Sequence, residues 1–227
     1  MPDTKKTFDS ISSRYDLINN IISFGTHLKW KKDFVNLLEF DGEVLDIATG
    51  TGDIAIMIKD RYPHTRVTGL DPSEEMLKIA NSRKGERGKI RFVEGYCEKI
   101  PFPDSSFDFV TITFGIRNTV SVVDSVKEIG RVLKKDGHLL IMEHTKNESV
   151  SFIVKLLYKI YLHSFIPLVG FFFGKLSEYK YLVSSIESFY TPKEVNNILE
   201  KNGFKVKSNI GYNLGLITIH IANNIKP

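Results

Sequence analysis

Val44-Leu45-Asp46-Ile47-Ala48-Thr49-Gly50-Thr51-Gly52-Asp53-Ile54-Ala55 is the stretch that decides the fold. Its first residues form the short apolar run of a buried strand, and its last residues open a helix. Between them lie two glycines, free to take backbone conformations closed to other residues. Strand, tight glycine turn and helix, in that order, start a doubly wound α/β fold whose ligand sits at the carboxyl ends of the strands.

The same alternation continues on both sides and predicts a mostly parallel sheet. Upstream, Phe8, Ile11, Tyr15, Ile18 and Ile22 recur at helical spacing, and a second helix is expected from His27 to about Phe40. The glycine unit supplies a strand over Glu43–Thr49 and a helix from Asp53 to about Arg61. Downstream, the strand Arg66–Leu70 ends at Asp71-Pro72-Ser73, where Ser73 is a natural N-cap and Glu74 and Glu75 suit the first turn of a helix to about Arg83. Ile90–Glu94 and Phe107–Phe114 read as strands three and four, the latter half-buried and central. A helix over Val122–Leu133, a turn at Lys135-Asp136-Gly137, a strand over His138–Glu143 and a closing pair, Phe204–Ile210 and Leu216–Ala222, complete the pattern. The expected organisation is a single domain: a helical cap (1–40), a cofactor-binding core (41–150), a helical lid or insertion (151–190), and a closing helix with a strand pair (191–227).

The chain has 227 residues, 42% hydrophobic and 26% charged, which excludes disorder and low complexity. Its one cysteine, Cys97, excludes an internal disulfide framework and a multi-cysteine metal cluster, and fits a reducing compartment. A net charge of +4 is too small to demand nucleic acid or anionic lipid. Met1-Pro2-Asp3-Thr4-Lys5-Lys6 has no long apolar run behind its charges, so no secretory signal is expected. The longest strongly apolar run, Phe165 to Phe173, is broken by Pro167 and Gly170 and falls short of the roughly 20 residues of a spanning helix. The expected location is the cytoplasm, with peripheral contact at the inner face of the membrane as an extension.

Gly50-x-Gly52-x-x-Ala55 also fits a dinucleotide fingerprint, with Asp71 available for a ribose. The acids decide against it. A diphosphate would sit on the helix N-terminus, where Asp53 stands, with Asp46 four residues before Gly50. S-adenosylmethionine has no phosphate, and its ammonium and sulfonium tolerate carboxylates. Asp46, directly or through water, would meet the amine; Gly50 and Gly52 would allow close approach; Asp71 would accept from the ribose hydroxyls. No metal is called for. The Asn/Asp-Pro-Pro-aromatic stretch of many amino-group methyltransferases is missing after strand four, which lowers a nucleic-acid substrate further.

Residues 151–190 hold 11 of the 26 aromatics, about twice their share by length. Such an insertion is either the core of an extra helical layer or a greasy lid over an apolar substrate. Lys155, Lys159 and Lys175, interleaved with Tyr158, Tyr161, Phe165 and Phe171–Phe173, would also suit anionic lipid.

Several separated stretches together resemble one family, the UbiE/MenG C-methyltransferases of ubiquinone and menaquinone biosynthesis. They are Phe8-Asp9-Ser10-Ile11 with Arg14-Tyr15-Asp16-Leu17-Ile18-Asn19, Ser23-Phe24-Gly25 with His27 and Trp30-Lys31, and the glycine turn itself. Leu70-Asp71 with Glu75-Met76-Leu77-Lys78, Pro101-Phe102-Pro103-Asp104 with Ser106-Phe107-Asp108, and Phe114-Gly115-Ile116-Arg117-Asn118 follow, with Tyr181-Leu182, Ser185-Ile186 and Gly203-Phe204 near the end. The resemblance implies a class I S-adenosylmethionine-dependent methyltransferase fold acting on a ring carbon of a prenylated quinol, demethylmenaquinol before a benzoquinol precursor of ubiquinone. It places cofactor contacts on Thr51, Asp71, Tyr96, Cys97 and Thr113. Tyr96-Cys97 departs from the family's Asn/Asp-Ala, a change that backbone contacts survive. Arg117, Asn118 and Tyr15 are the catalytic candidates, Arg117 to stabilise a phenolate, Asn118 to orient water or hydroxyl, and Tyr15 to bond the other face. Each has a structural alternative, an ion pair for Arg117 and core packing for Tyr15. His144 and His163 are further candidates for a base. The expected partners are the prenylated quinol, membrane lipid at the periphery, and a second copy of the chain. The rival readings are a soluble small-molecule acceptor, a non-catalytic scaffold and an RNA substrate.

Overall fold

A computed structural model describes residues 4–85, 90–146 and 150–226; Met1–Asp3, on which the reading of the N-terminus partly rests, lie outside them. Seven strands form one sheet in the order β3-β2-β1-β4-β5-β7-β6. They are β1 (Glu43–Ile47), β2 (Arg66–Asp71), β3 (Ile90–Glu94), β4 (Phe107–Thr113), β5 (Leu133–His144), β6 (Phe204–Tyr212) and β7 (Ile217–Asn224). The pairings among β1 to β5 are parallel, while β7 runs antiparallel to both its neighbours. The strand order reverses between β1 and β4, and the crevice at that switch point is where such sheets bind ligands.

Apolar clusters cover both faces of the sheet. One sets Phe34, Ile54 and Ile58 of α3 (Thr26–Val35) and α4 (Asp53–Arg61) against Val44 and Leu140; the other sets Ile129 of α6 (Val122–Val132) and Leu199 of α10 (Pro192–Lys201) against Leu45 and Ile112. Each fully buried Leu or Ile in these clusters stabilises by about 1.5–3 kcal/mol. β4 is more than half-buried: it lies between β1 and β5 with Phe107 and Phe109–Ile112 buried. Ser73 caps α5 (Glu74–Arg83) by accepting from the Met76 N–H at 3.1 Å, as its position after Asp71 implies. Thr191 and Glu194 close a reciprocal capping box on α10.

Three local departures have physical causes. The leading helix is two, α1 (Thr4–Ile11) and α2 (Tyr15–Ile22), joined by a 3₁₀ turn at Ser12–Arg14. There the Ser10 and Ser12 hydroxyls donate back to the Thr7 and Asp9 carbonyls, a bond that bends helices. α3 stops at Val35 rather than near Phe40, because Phe40 leaves the helix axis to pack against Phe109 and Tyr62, with ring centroids 5.0 and 5.6 Å away. The turn at Lys135-Asp136-Gly137 is absorbed into β5 as an irregularity, with Asp136 at φ +61°.

The larger correction concerns residues 152–172. Pro167 and Gly170 do not interrupt a helix there: α7 (Phe152–Ile160), a π segment at Tyr161–Phe165 and α8 (Ile166–Phe172) run on without a break. A proline lacks one N–H and crowds the carbonyl four residues back, here that of His163. The widened π turn lies at that carbonyl and accommodates the ring. The 21-residue helix is long and apolar enough, by length and composition, to cross a membrane, and most of it is exposed. Its inner side packs with α9 (Leu176–Ser188) and α2 in a third apolar cluster that includes Ile18, Leu162, Ile166, Val169, Val183 and Ile186. Cap and lid thus share a core of their own beside the sheet.

Candidate active site

Two cavities meet at the switch point. The smaller, about 110 Å³, lies under the carboxyl ends of β1 to β4; the larger, about 420 Å³, reaches from the glycine turn up to the lid. Tyr15, Ala48, Gly50, Thr113, Phe114 and Asn118 line both, so they mark the junction.

The backbone is strained at this junction. Ala48, after β1, has φ +52° and Phe114, after β4, has φ +54°, both left-handed. Such conformations persist only where surrounding structure fixes them, and they gather at functional sites. Gly115 follows from this: a Cβ there would lie 2.3 Å from the Ala48 Cβ. Its absence lets the chain turn at once into a 3₁₀ turn, Ile116–Asn118, that carries Arg117 and Asn118 to the cavities. Gly50, at φ +54°, has nothing within 4 Å of where a Cβ would stand, leaving open space for a ligand against its backbone. Gly52 lines neither cavity; its φ of +85° starts α4 in a place where a Cβ would crowd Phe92 and Ala80.

Asp71 lines the smaller cavity and accepts from the Gly50 and Ser73 N–H groups, each at 2.9 Å. Burial pushes its carboxyl up to about 6 against those two bonds. Tyr96 and Cys97 line the same cavity, Tyr96 half-exposed and Cys97 buried, with burial driving the thiol up to about 12. Among the described residues the lining holds the acids Asp71 and Glu98 and no Lys, Arg or His. That donor set fits S-adenosylmethionine, which is cationic at its amine and sulfur and carries no phosphate.

Asp46 is not where the sequence implies, whereas Asp53 starts α4 as expected and lines the larger cavity. Asp46 lines neither cavity; it is buried, accepting from Thr49 Oγ1 at 2.6 Å and Thr111 Oγ1 at 2.7 Å, and burial raises it to about 6. Asp53 is met by Lys31 Nζ and Arg83 Nη2, each at 2.6 Å. The same Arg83 donates to Thr51 Oγ1 and to Asp16, and Thr51 Oγ1 donates to Asp16 at 2.9 Å. These acids therefore hold the turn and clamp the helical cap onto it. Ser73 Oγ adds a bond to Asp9 at 2.5 Å.

Arg117 is no surface ion pair. Its Nη1 donates to buried Glu143 at 2.5 Å and to the Phe114 carbonyl at 2.7 Å, and Nε reaches Ser185 Oγ of the lid at 3.3 Å. Nη2 has no hydrogen-bond partner among the described residues. Burial raises the Glu143 carboxyl and Arg117 opposes that rise. Asn118 Oδ1 accepts from Tyr181 of the lid at 3.2 Å. Tyr15 lies at the junction, edge-on to Phe8 with centroids 6.2 Å apart.

His144 faces the larger cavity, 3.5 Å from the Tyr158 hydroxyl, and burial with Arg117 nearby holds it down to about 3. It is a neutral ring that offers an acceptor. His163 lines neither cavity and pairs with Glu187 at 2.7 Å, which removes it as a base for this site. Sequence reasoning missed Thr49, which lines the larger cavity and bonds Asp46. It also gave no role to His27, buried there with Nδ1 2.6 Å from Ser23 Oγ. The i,i+4 spacing of Ser23 and His27 was the available signal. Among the described residues no group of three or more His, Cys, Asp or Glu is placed to hold a metal ion.

A model of the ubiE/COQ5 methyltransferase family matches residues 3–224. A demethylmenaquinone methyltransferase of Thermotoga maritima is 41% identical over 204 residues, covering 88% of this chain and 87% of that protein. A ubiquinone/menaquinone biosynthesis C-methyltransferase UbiE of Geotalea daltonii is 37% identical over 222 residues, covering 95% and 94%. The crystal structure of a SAM-dependent methyltransferase from Thermotoga maritima superposes with a TM-score of 0.69 over 98% of this chain and 99% of that one; at 22% identity it speaks for the fold alone.

Proposed function

The chain belongs to the ubiE/COQ5 methyltransferase family and is an S-adenosylmethionine-dependent C-methyltransferase; from that premise we propose that it methylates the ring of demethylmenaquinol. The observation that carries the acceptor is the larger cavity, walled by Tyr158, Tyr161, Leu162, Ile166 and Tyr179 above and by Arg117 and Asn118 at its floor. A fused aromatic ring with an apolar tail suits such walls, and the hydroxyl to be ionised suits such a floor. A benzoquinol precursor of ubiquinone is the second reading, favoured by the double name of the Geotalea relative.

When bound, S-adenosylmethionine supplies an electrophilic methyl group. Asp71 would accept hydrogen bonds from its ribose hydroxyls, the Tyr96-Cys97 backbone would hold its base, and Gly50, Thr51 and Thr113 would hold the remainder. The acceptor must be the reduced quinol, because ionising the hydroxyl beside the unsubstituted carbon raises electron density on that carbon. Arg117 Nη2 stabilises the phenolate by charge. Asn118 and Tyr15 hold the hydroxyl and a water that takes its proton. As the carbon–methyl bond forms the methyl–sulfur bond breaks, leaving S-adenosylhomocysteine; the ring carbon then loses its proton and the oxygen recovers one, so one proton is released overall. The lid excludes bulk water and fixes the ring, and such positioning supplies up to roughly 7–11 kcal/mol.

The outer side of the lid helix supports contact with a bilayer. Phe152 (78% exposed), Ile153, Leu157, Phe171 and Phe172 (76%) are bare there, a larger apolar display than lone surface residues give. Lys155 and Lys159 on the same helix suit anionic headgroups. Co-sedimentation with vesicles should fall when Leu157 and Phe172 are replaced by Ser, and unchanged sedimentation would remove this part. The function itself is tested by methyl transfer from labelled S-adenosylmethionine to demethylmenaquinol and to the benzoquinol precursor in parallel. Product from the first supports the main reading, and product from the second alone moves the acceptor to the other quinone.

A further inference from the structure

The larger cavity has an aromatic way out that methyl transfer at its floor does not need. Tyr158, whose hydroxyl lies 3.5 Å from His144 Nδ1, stacks on Tyr161 with centroids 6.1 Å apart. Tyr161 stacks on Phe165 at 5.7 Å, and Phe165 on Phe24 at 5.3 Å with planes 18° apart. The four rings make a file leading outward: Tyr158, Tyr161 and Phe24 line the cavity, and Phe165, which lines neither cavity, backs Phe24. Phe24 is 73% exposed and still lines the cavity, so it stands at the rim.

The backbone puts it there at a cost. Phe24 sits at φ +50°, in the left-handed region, followed by Gly25 at φ +73°. A bulky residue is rare in that conformation, and a ring left mostly in solvent recovers little by burial. The turn is nevertheless pinned by bonds from the Ser23 and Gly25 N–H groups to the Asn19 and Asn20 carbonyls at 3.0 and 2.9 Å. Strain that the surroundings hold in place, at the mouth of a cavity, points to use. On the lid helix, the side that carries Tyr158 and Tyr161 faces the cavity while the other side is the bare apolar surface.

We infer that this file is the exit track of the acceptor's isoprenoid tail, and that Phe24 and Phe165 form the portal that selects tailed over tailless quinols. The inference rests on the quinol reading above. An unsaturated hydrocarbon chain lies well against ring faces, and the file carries no charged group. A tail leaving past Phe24 emerges at an exposed aromatic rim, so the reacting ring can be enclosed while the tail stays outside.

The experiment compares kcat/KM for demethylmenaquinol with a long prenyl tail and for the tailless ring, both in detergent micelles, where docking to a bilayer plays no part. Phe24→Ala should lower the tailed-to-tailless ratio about tenfold, the scale of lost apolar contact in a specificity pocket, and Phe165→Ala should do the same. Phe24 is exposed, so its truncation leaves the fold standing, and a thermal melt checks this. Ile225→Ala, another exposed apolar residue that lines neither cavity, should leave the ratio where it was. A ratio unmoved by both Phe variants, or tailed and tailless rates falling together, overturns the portal. Wild-type protein that methylates neither quinol, while still binding S-adenosylmethionine, overturns the quinol reading and the portal with it.

Discussion

The two halves of the site are held in different ways. Around the glycine turn the parts are short, polar and cross-braced: Asp46 fixes Thr49 and Thr111, and Arg83 joins Asp16, Thr51 and Asp53. Around the larger cavity the walls are mostly aromatic and aliphatic, and the polar ties to the lid are scattered single bonds: Arg117 to Ser185, Asn118 to Tyr181, His144 to Tyr158, Tyr161 to the Ile22 carbonyl and Ser10 to Glu178. A cofactor of fixed shape can be met by fixed donors and acceptors. A ring with a long tail is met by surface that adapts, anchored by the buried Arg117–Glu143 pair.

That anchor gives the sharpest way to break the comparison. Glu143→Ala leaves the Arg117 guanidinium buried without its partner, and the fold should lose about 3–5 kcal/mol in denaturant unfolding. Replacing both partners, Arg117→Gln with Glu143→Gln, avoids the orphaned charge. It should lower kcat about 10²–10³-fold, as loss of an oxyanion donor does, with cofactor affinity by calorimetry unchanged. A double variant with near-native turnover would make the pair a brace and nothing more.

On the polar side, Asp71→Ala should weaken S-adenosylmethionine by about 10–100-fold, the worth of a hydrogen bond to a charged group, with little change in the acceptor KM. The affinity should also depend on pH in a definite direction. Burial raises Asp71 from 3.8 to about 6, so it is ionised at pH 7 and takes up a proton as pH falls through 6. The ribose then loses an acceptor, and affinity should drop between pH 7 and 5. Asp71→Asn, which has no proton to gain, should flatten that profile. The smallest effect belongs to Arg83→Ala. Arg83 is 37% exposed, and partly exposed pairs are worth about 1 kcal/mol or less, so the melting point should move only slightly. A large destabilisation would mean that the cap is held chiefly by charge and not by the apolar core it shares with the lid.

The same contrast decides how much the sequence disclosed. The β1–turn–α4 unit, the Ser73 cap and Asp71 were legible because local chemistry dictates them: a left-handed turn needs glycine, and a helix N-terminus needs an acceptor. Asp46 and Asp53 were legible as acids near a cofactor but not in their roles, because their partners Thr111, Lys31 and Arg83 arrive from remote parts of the chain. Gly115 could be quoted as part of a motif, yet its reason, the Ala48 Cβ 2.3 Å away, exists only in three dimensions. The lid was visible as an excess of aromatics. Its continuous helix was hidden because Pro167 reads as a break until the π turn before it is seen.

The central claim is that a ring carbon of a tailed naphthoquinol receives the methyl group. The most direct test incubates the protein with S-adenosylmethionine carrying a ¹³C methyl and with demethylmenaquinol under reducing conditions, then locates the label by NMR of the product. An aryl-methyl resonance is the predicted result. A methoxy resonance, or no incorporation by protein that binds the cofactor, would contradict it.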